Sequence, residues 1–181
     1  MMYSPLRLMR FAAVTLPALA LSGCATMIVS SYMERGADIA RYQTYTWAPA
    51  DSLATGDPRL DNNPFFQERV QANVEKQLDA RGFEKASERP DLLIHYHASI
   101  SQRIDFNGPD RETGDCVDCR PYVFDAGTLL VDLVDARTNK LVWRGWAEDS
   151  VDGVIDNQKW MEEKIDEAVR RMMEMLPPRR L

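Results

Sequence analysis

GTLLVDLVDARTNKLVWRGWAEDSV, residues 127–151, reads as two strands and the turn that joins them. Leu129, Val131 and Leu133 recur at every second position, the period of a strand with one face on a core. Ala136 to Lys140 (ARTNK) interrupts that pattern as a turn. Beyond it, Leu141, Trp143 and Ala147 can face the same way as the first three. Matching those faces sets Asp132 opposite Arg144, a cross-strand charge pair. It also leaves a second face, carrying Leu130, Val142 and Trp146, turned away from that core.

Outward from the hairpin, DLLIHYHASISQRI (91–104) alternates as a third strand. Leu92, Ile94, Tyr96, Ala98 and Ile100 share one face; Leu93, His95, His97, Ser99 and Ser101 share the other. Between it and the hairpin lies a long loop, 105–126. Upstream, MIVSSYM (27–33) and RYQTYTWA (41–48) read as short strands, the second with Tyr45 and Trp47 on one face. A Pro- and Asp-rich loop, 49–64, leads to the clearest helix. There Asn63 is an N-cap and Pro64 suits the first helical position. Phe66, Val70, Val74 and Leu78 form one apolar stripe, and Gly82 followed by Phe83 closes the helix near residue 81. The last helix starts near Asp156 or Asn157. It carries Met161, Ile165, Ala168, Val169, Met172 and Leu176 on one side and stops at Pro177-Pro178. The order is β-β-α-β-β-β-α. One curved, mainly antiparallel sheet with both helices on one face buries each stripe once, so the expected fold class is α+β, a two-layer sandwich.

The N-terminus reads differently. Arg7 and Arg10 precede an apolar run, Phe11 to Leu21, of 11 residues with Pro17 inside it. A spanning helix needs about 20 apolar residues, whereas a secretory leader needs only a short run after a basic start. The run closes on Leu21-Ser22-Gly23-Cys24, which resembles a bacterial lipobox. Cleavage of residues 1–23 would leave Cys24 to carry a diacylglyceryl thioether and an acylated amine, with 24–26 as a lipidated tether. A buried CH₂ contributes about 0.8 kcal/mol, and two or more chains hold a protein at a bilayer stably. Ala25 after the cysteine, rather than Asp, favours the outer membrane of a Gram-negative cell. The remainder, with a single domain over 27–178, suits one hydrophobic core. Losing Arg7 and Arg10 moves the formal charge from −6 to −8. An acidic chain without a basic stripe is a poor nucleic-acid binder.

Taken together, several stretches resemble a known family. They are the lipobox cysteine, ADIARYQTYTWAP, NPFFQERVQANVEKQLDARGFEKA, PDLLIHYHASI, GTLLVDLVDARTNKLVWRGWAE and a closing helix that ends in Pro-Pro. The pattern is similar to bacterial lipoproteins carrying domain of unknown function 4136, over about 27–178. The resemblance implies an α+β domain tethered in the periplasm and brings no catalytic residues with it. The middle loop departs from the Gly- and Tyr-rich form that the resemblance leads one to expect, because it holds CVDC.

Cys116 and Cys119 in that loop have three readings. A disulfide suits an oxidising compartment. A redox dithiol needs a low-pKa thiolate, which Asp115 and Asp118 oppose and Arg120 only partly favours. A zinc site would combine the two thiols with His95 and His97, which lie two apart on a strand and so point the same way. DSVDGVID (149–156) is rich in acids but lacks the ligand pattern of a calcium loop and reads as a turn. Neither a nucleophile elbow, nor a phosphate-cradling loop, nor a zinc-protease helix is present.

The sequence therefore leads to a non-enzymatic, periplasm-facing outer-membrane lipoprotein without a cofactor beyond the lipid on Cys24. Its expected role is a binding or envelope-assembly module. Leu93, Leu130, Val142 and Trp146 would form the face that takes a protein partner or a lipid or peptidoglycan-linked ligand, unless loop 105–126 covers it. The alternative is a thiol redox or zinc module on Cys116, Cys119, His95 and His97.

Overall fold

A computed structural model describes residues 27–49, 59–60, 63–105 and 121–178. The leader 1–23, the tether 24–26 with Cys24, and both Cys116 and Cys119 lie outside the described residues. The chain runs through β1 (Ile28–Met33), a 3-10 turn (Ile39–Arg41), β2 (Thr44–Trp47), α1 (Pro64–Asp79), β3 (Glu84–Lys85), β4 (Leu92–Asp105), β5 (Tyr122–Asp135), β6 (Lys140–Ser150) and α2 (Gln158–Glu174). The strands form one sheet in the order β1-β6-β5-β4-β2-β3. From β1 to β4 every pairing is antiparallel; β2 pairs parallel with both β3 and β4. The parallel part follows from α1, since a helix between two strands returns the chain to run the same way.

The expected α+β order holds, with β3 as an added two-residue strand. Both helices begin as the sequence dictates. Asn63 accepts the N–H of Phe66 and Asn157 that of Trp160, each at 3.1 Å. α1 ends two residues sooner than its stripe suggests. Gly82 takes φ 78°, and Phe83 donates its N–H to the Leu78 carbonyl at 3.1 Å, which folds the chain back under the helix.

The core lies between one sheet face and the helices. Tyr45, Leu92, Ile94, Val131, Leu133 and Trp143 meet Val70, Val74 and Leu78 of α1 and Val169, Met172 and Met173 of α2. The two helices are clamped by Arg69, which donates through Nε to Asp166 at 2.6 Å and pairs with Glu162 at 2.8 Å. Asn73 also donates to Asp166, at 2.8 Å.

Two expectations need correction. Asp105 and residues 122–126 are not loop; Asp105 ends β4, and 122–126 extend β5 against Asp105 to Ser101, which leaves 106–120 outside the described residues. The hairpin also carries a bulge. Leu133 pairs with Trp143 but Val134 pairs with Leu141, so Val142 is an extra residue. Leu141 accordingly faces away from the helices with Val134, and Val142 is 3% exposed and belongs to the core. The cause is two registers that cannot both run straight. The turn fixes one end: Asp135 accepts the N–H groups of Arg137 and Thr138 at 3.0 and 2.7 Å, and Asn139 sits at φ 55°. The buried set Leu129, Val131, Leu133 and Trp143 fixes the other, and one surplus residue absorbs the difference.

Candidate functional site

Opposite the helices, the sheet presents an outer face. Residues directly opposite in a ladder share a face, so the register assembles it row by row. One row crosses four strands as Ser30, Trp146, Leu130 and His97. The next is Tyr32, Arg144, Asp132 and His95. A third is Leu141, Val134, Leu93 and Thr46.

At the centre is an ion pair. Arg144 donates to Asp132 through Nε at 2.6 Å and through Nη2 at 2.5 Å. Asp132 is only 5% exposed and is the buried charged residue among those described. The forked guanidinium matches both carboxylate oxygens. The bond to Asp132 holds the Arg144 guanidinium above its ordinary range. At the open end of the same row, the Tyr32 hydroxyl donates to Glu34 at 2.6 Å, and that bond raises the phenol. Leu93, Leu130 and Trp146 are half-buried around the pair.

The structure thus brings together three of the four residues expected on this face. Val142 is not among them, because the bulge turns it into the core. His95 and His97 do share the outer face, against Asp132 and Leu130 in the next strand; the thiols once grouped with them lie outside the described residues. Among the described residues, no group of three or more His, Cys, Asp or Glu is placed to hold a metal. The acids of 149–156 do not converge. Asp149 pairs with Lys164, and Asp152 accepts from Asp125 N–H at 2.9 Å and from Tyr122 hydroxyl at 2.5 Å. They shape a turn around Gly153, at φ 70°.

Sequence reasoning missed Tyr32 and Ile28, which are 45% and 63% exposed on β1. A six-residue strand shows too little alternation to tell an outer row from a core row. It also missed two hollows. One, of about 80 Å³, lies between the sheet and the start of α2, with Met27, Ile100, Val151, Val154 and Ile165 in its wall. A dry cavity of ~150 Å³ holds a benzene, so this one is small. The other, of about 540 Å³, opens beside the β5–β6 turn between Glu34, Arg35, Tyr42, Asp135 and Lys140. Burial pushes the Asp135 carboxyl up, but hydrogen bonds from Thr138, Tyr42 and Arg137 outweigh it and leave it below the usual range.

No helix among the described residues is long and apolar enough to cross a membrane. An open mixed sheet with two helices on one face and an ion pair with a buried carboxylate on the other defines an α+β sandwich domain. This chain belongs to the family described as domain of unknown function (DUF4136), whose profile matches residues 29–178. Among curated proteins, none matches the sequence. A PDZ domain protein from Parabacteroides distasonis is similar in structure at TM-score 0.53 and 13% identity, over 83% of this chain and 36% of that one. This chain therefore spans about a third of that protein. PelC from Paraburkholderia phytofirmans, solved as a dodecamer, is similar at TM-score 0.48 and 11% identity, over 86% and 100% of the two chains. A putative neuraminyllactose-binding hemagglutinin homolog from Helicobacter pylori stands at 0.45 and 14%, over 75% and 83%. At such identities the first likeness speaks for the fold alone, and the two below 0.5 add nothing to it.

Proposed function

We propose that this protein is a lipid-anchored module on the periplasmic side of the outer membrane. It binds an envelope protein, or a lipid or peptidoglycan-linked ligand, and catalyses no reaction. The observation that carries this reading is the outer sheet face. Leu93, Leu130 and Trp146 surround a carboxylate–guanidinium pair there, and both described helices pack on the opposite side. A half-buried apolar surface around a fixed charge pair suits recognition, because the apolar groups supply affinity and the pair fixes orientation. Cys24 supplies the anchor through its lipid.

A photo-crosslinking side chain at Leu130, introduced into the full chain in intact cells, tests the face. A discrete adduct that disappears in a Trp146→Ser background is expected. No adduct, or one that survives Trp146→Ser unchanged, counts against the face as the binding surface. Cys24→Ser tests the anchor separately. The variant is expected in the soluble fraction after a carbonate wash; retention with the envelopes removes the lipid from the reading.

A further inference from the structure

The sheet ends differently at its two edges. β3 is two residues long, and both Glu84 and Lys85 are exposed charges, a common way to stop another strand from adding on. β1 has no such protection. IVSSYM is six residues without a charge or a proline, and its pairing with β6 runs without a break from Ile28 to Met33.

Its backbone is poised to pair. Glu34 donates its N–H to the Val142 carbonyl at 3.0 Å, in the same register that pairs Met33 with Trp143. Hydrogen-bonded positions alternate along an antiparallel ladder. Ser30 and Tyr32 therefore turn their backbone groups to β6, while Val29, Ser31 and Met33 turn theirs outward. Among the described residues, no strand pairs with that side. Ile28 and Tyr32 stand exposed on the outer face, two residues either side of Ser30.

The geometry points to β1 as the pairing edge for a second copy of this chain, joined β1 to β1 antiparallel about a two-fold axis at Ser30. In that register Ile28 faces the partner's Tyr32, and Tyr32 faces the partner's Ile28. A β-branched residue against an aromatic one is a favourable cross-strand pair. Val29 and Ser31 exchange backbone hydrogen bonds with the partner's Ser31 and Val29. A slip of one residue would present backbone groups already bonded to β6. A slip of two would set Ile28 against a serine or against the partner's Glu34. The strand is thus complementary to itself in one register, which is what an isologous interface requires. The joined sheet would carry the outer face from one copy into the next, with Tyr32 beside Arg144 at the seam.

Cysteine cross-linking of the full chain in intact cells tests this, in a Cys116→Ser/Cys119→Ser background that also serves as the control. Non-hydrogen-bonded partners in an antiparallel pair have Cα atoms about 4.5 Å apart, within disulfide reach of ~4.4–6.8 Å. Ser30→Cys is expected to give a disulfide-linked dimer well above the control, and Ser31→Cys, which faces Val29, is not. Ser31→Pro removes an outward N–H without touching the β6 ladder. It is expected to abolish the Ser30→Cys link while leaving the far-ultraviolet circular dichroism of the chain unchanged. The inference is overturned if Ser30→Cys stays monomeric, if it links to a different protein, or if Ser31→Cys links as readily. It is also overturned if the link persists with Ser31→Pro.

Discussion

The buried carboxylate of Asp132 sets the terms for the outer face. A charge this far from water is tolerated only while both of its oxygens are satisfied, and Arg144 supplies both bonds. Arg144→Ala would leave Asp132 charged and unpaired. Breaking a buried pair typically costs 3–5 kcal/mol, but the Arg144 side chain is 40% exposed, so solvent shares in the screening. We expect a loss of about 2–3 kcal/mol in urea unfolding. Replacing both partners, Asp132→Val with Arg144→Met, should recover most of it, because no orphaned charge remains. A double variant as unstable as Arg144→Ala would show that the pair is not the source of the loss. Gly145 poses a packing question instead. A Cβ there would come within 2.4 Å of Trp143 Cη2, in a ring that is wholly buried. Gly145→Ala should therefore cost about 1–3 kcal/mol through overpacking. Trp143→Leu in the same chain should remove that added penalty, leaving the two changes less than additive.

Between elements, the α1–α2 clamp ties stability to pH. The hydrogen bond from Arg69 holds the Asp166 carboxyl below its usual range, helped by Asn73 and opposed by burial. A folded value below the unfolded one stabilises the protein at pH above the ordinary carboxylate range. That contribution is lost as pH falls through the lowered value. Unfolding free energy should thus decline through the acid range, and Arg69→Ala should flatten the decline while lowering stability at neutral pH. An acid slope unchanged by Arg69→Ala would place the titrating group elsewhere, with Asp91 next in line; it is held low first by the Gln43 N–H and also by Thr44. The elements themselves were open to sequence reasoning wherever a stripe was long and capped. Phe66 to Leu78 with Asn63 before it left little choice, and neither did the alternation from Leu92 to Ile100. The bulge at Val142 was not legible. Leu141, Val142 and Trp143 are all apolar, so alternation cannot say which is surplus; the turn and the core decide that jointly. β3 escaped for a related reason, since two charged residues carry no period at all. The outer face was legible as far as Leu93, Leu130 and Trp146, and the Asp132–Arg144 pairing followed from matching core faces alone.

For the whole molecule, the proposed anchor and the fold together constrain orientation. Three residue steps separate Cys24 from Met27 and can span at most about 11 Å. If Cys24 carries the lipid, the Met27 end of β1 is held close to the headgroups. The same end of the molecule holds Val151, Val154 and the start of α2, which share a cavity wall with Met27. Trp160 lies there too, 52% exposed and with its ring 3.4 Å from where a Cβ on Gly153 would stand. With the lipid on Cys24, an exposed tryptophan at that end would reach the interfacial zone, where indoles are favoured. The full lipidated chain, reconstituted into vesicles with brominated acyl chains, should show partial quenching of its tryptophan emission. Trp160→Phe should remove most of that quenching, because Trp143 is wholly buried, Trp146 lies on the opposite sheet face, and Trp47, bonded to Glu75, pairs with Ile94, five residues along β4 from Ser99 in the row of Ile28. A flexible 20-residue insert after Thr26 should weaken it without releasing the protein from the vesicles. Quenching that persists in Trp160→Phe and is lost when Trp146→Phe is added would turn the molecule over and put the outer face against the bilayer; in that orientation the same apolar rows would meet lipid in place of a partner from the periplasm.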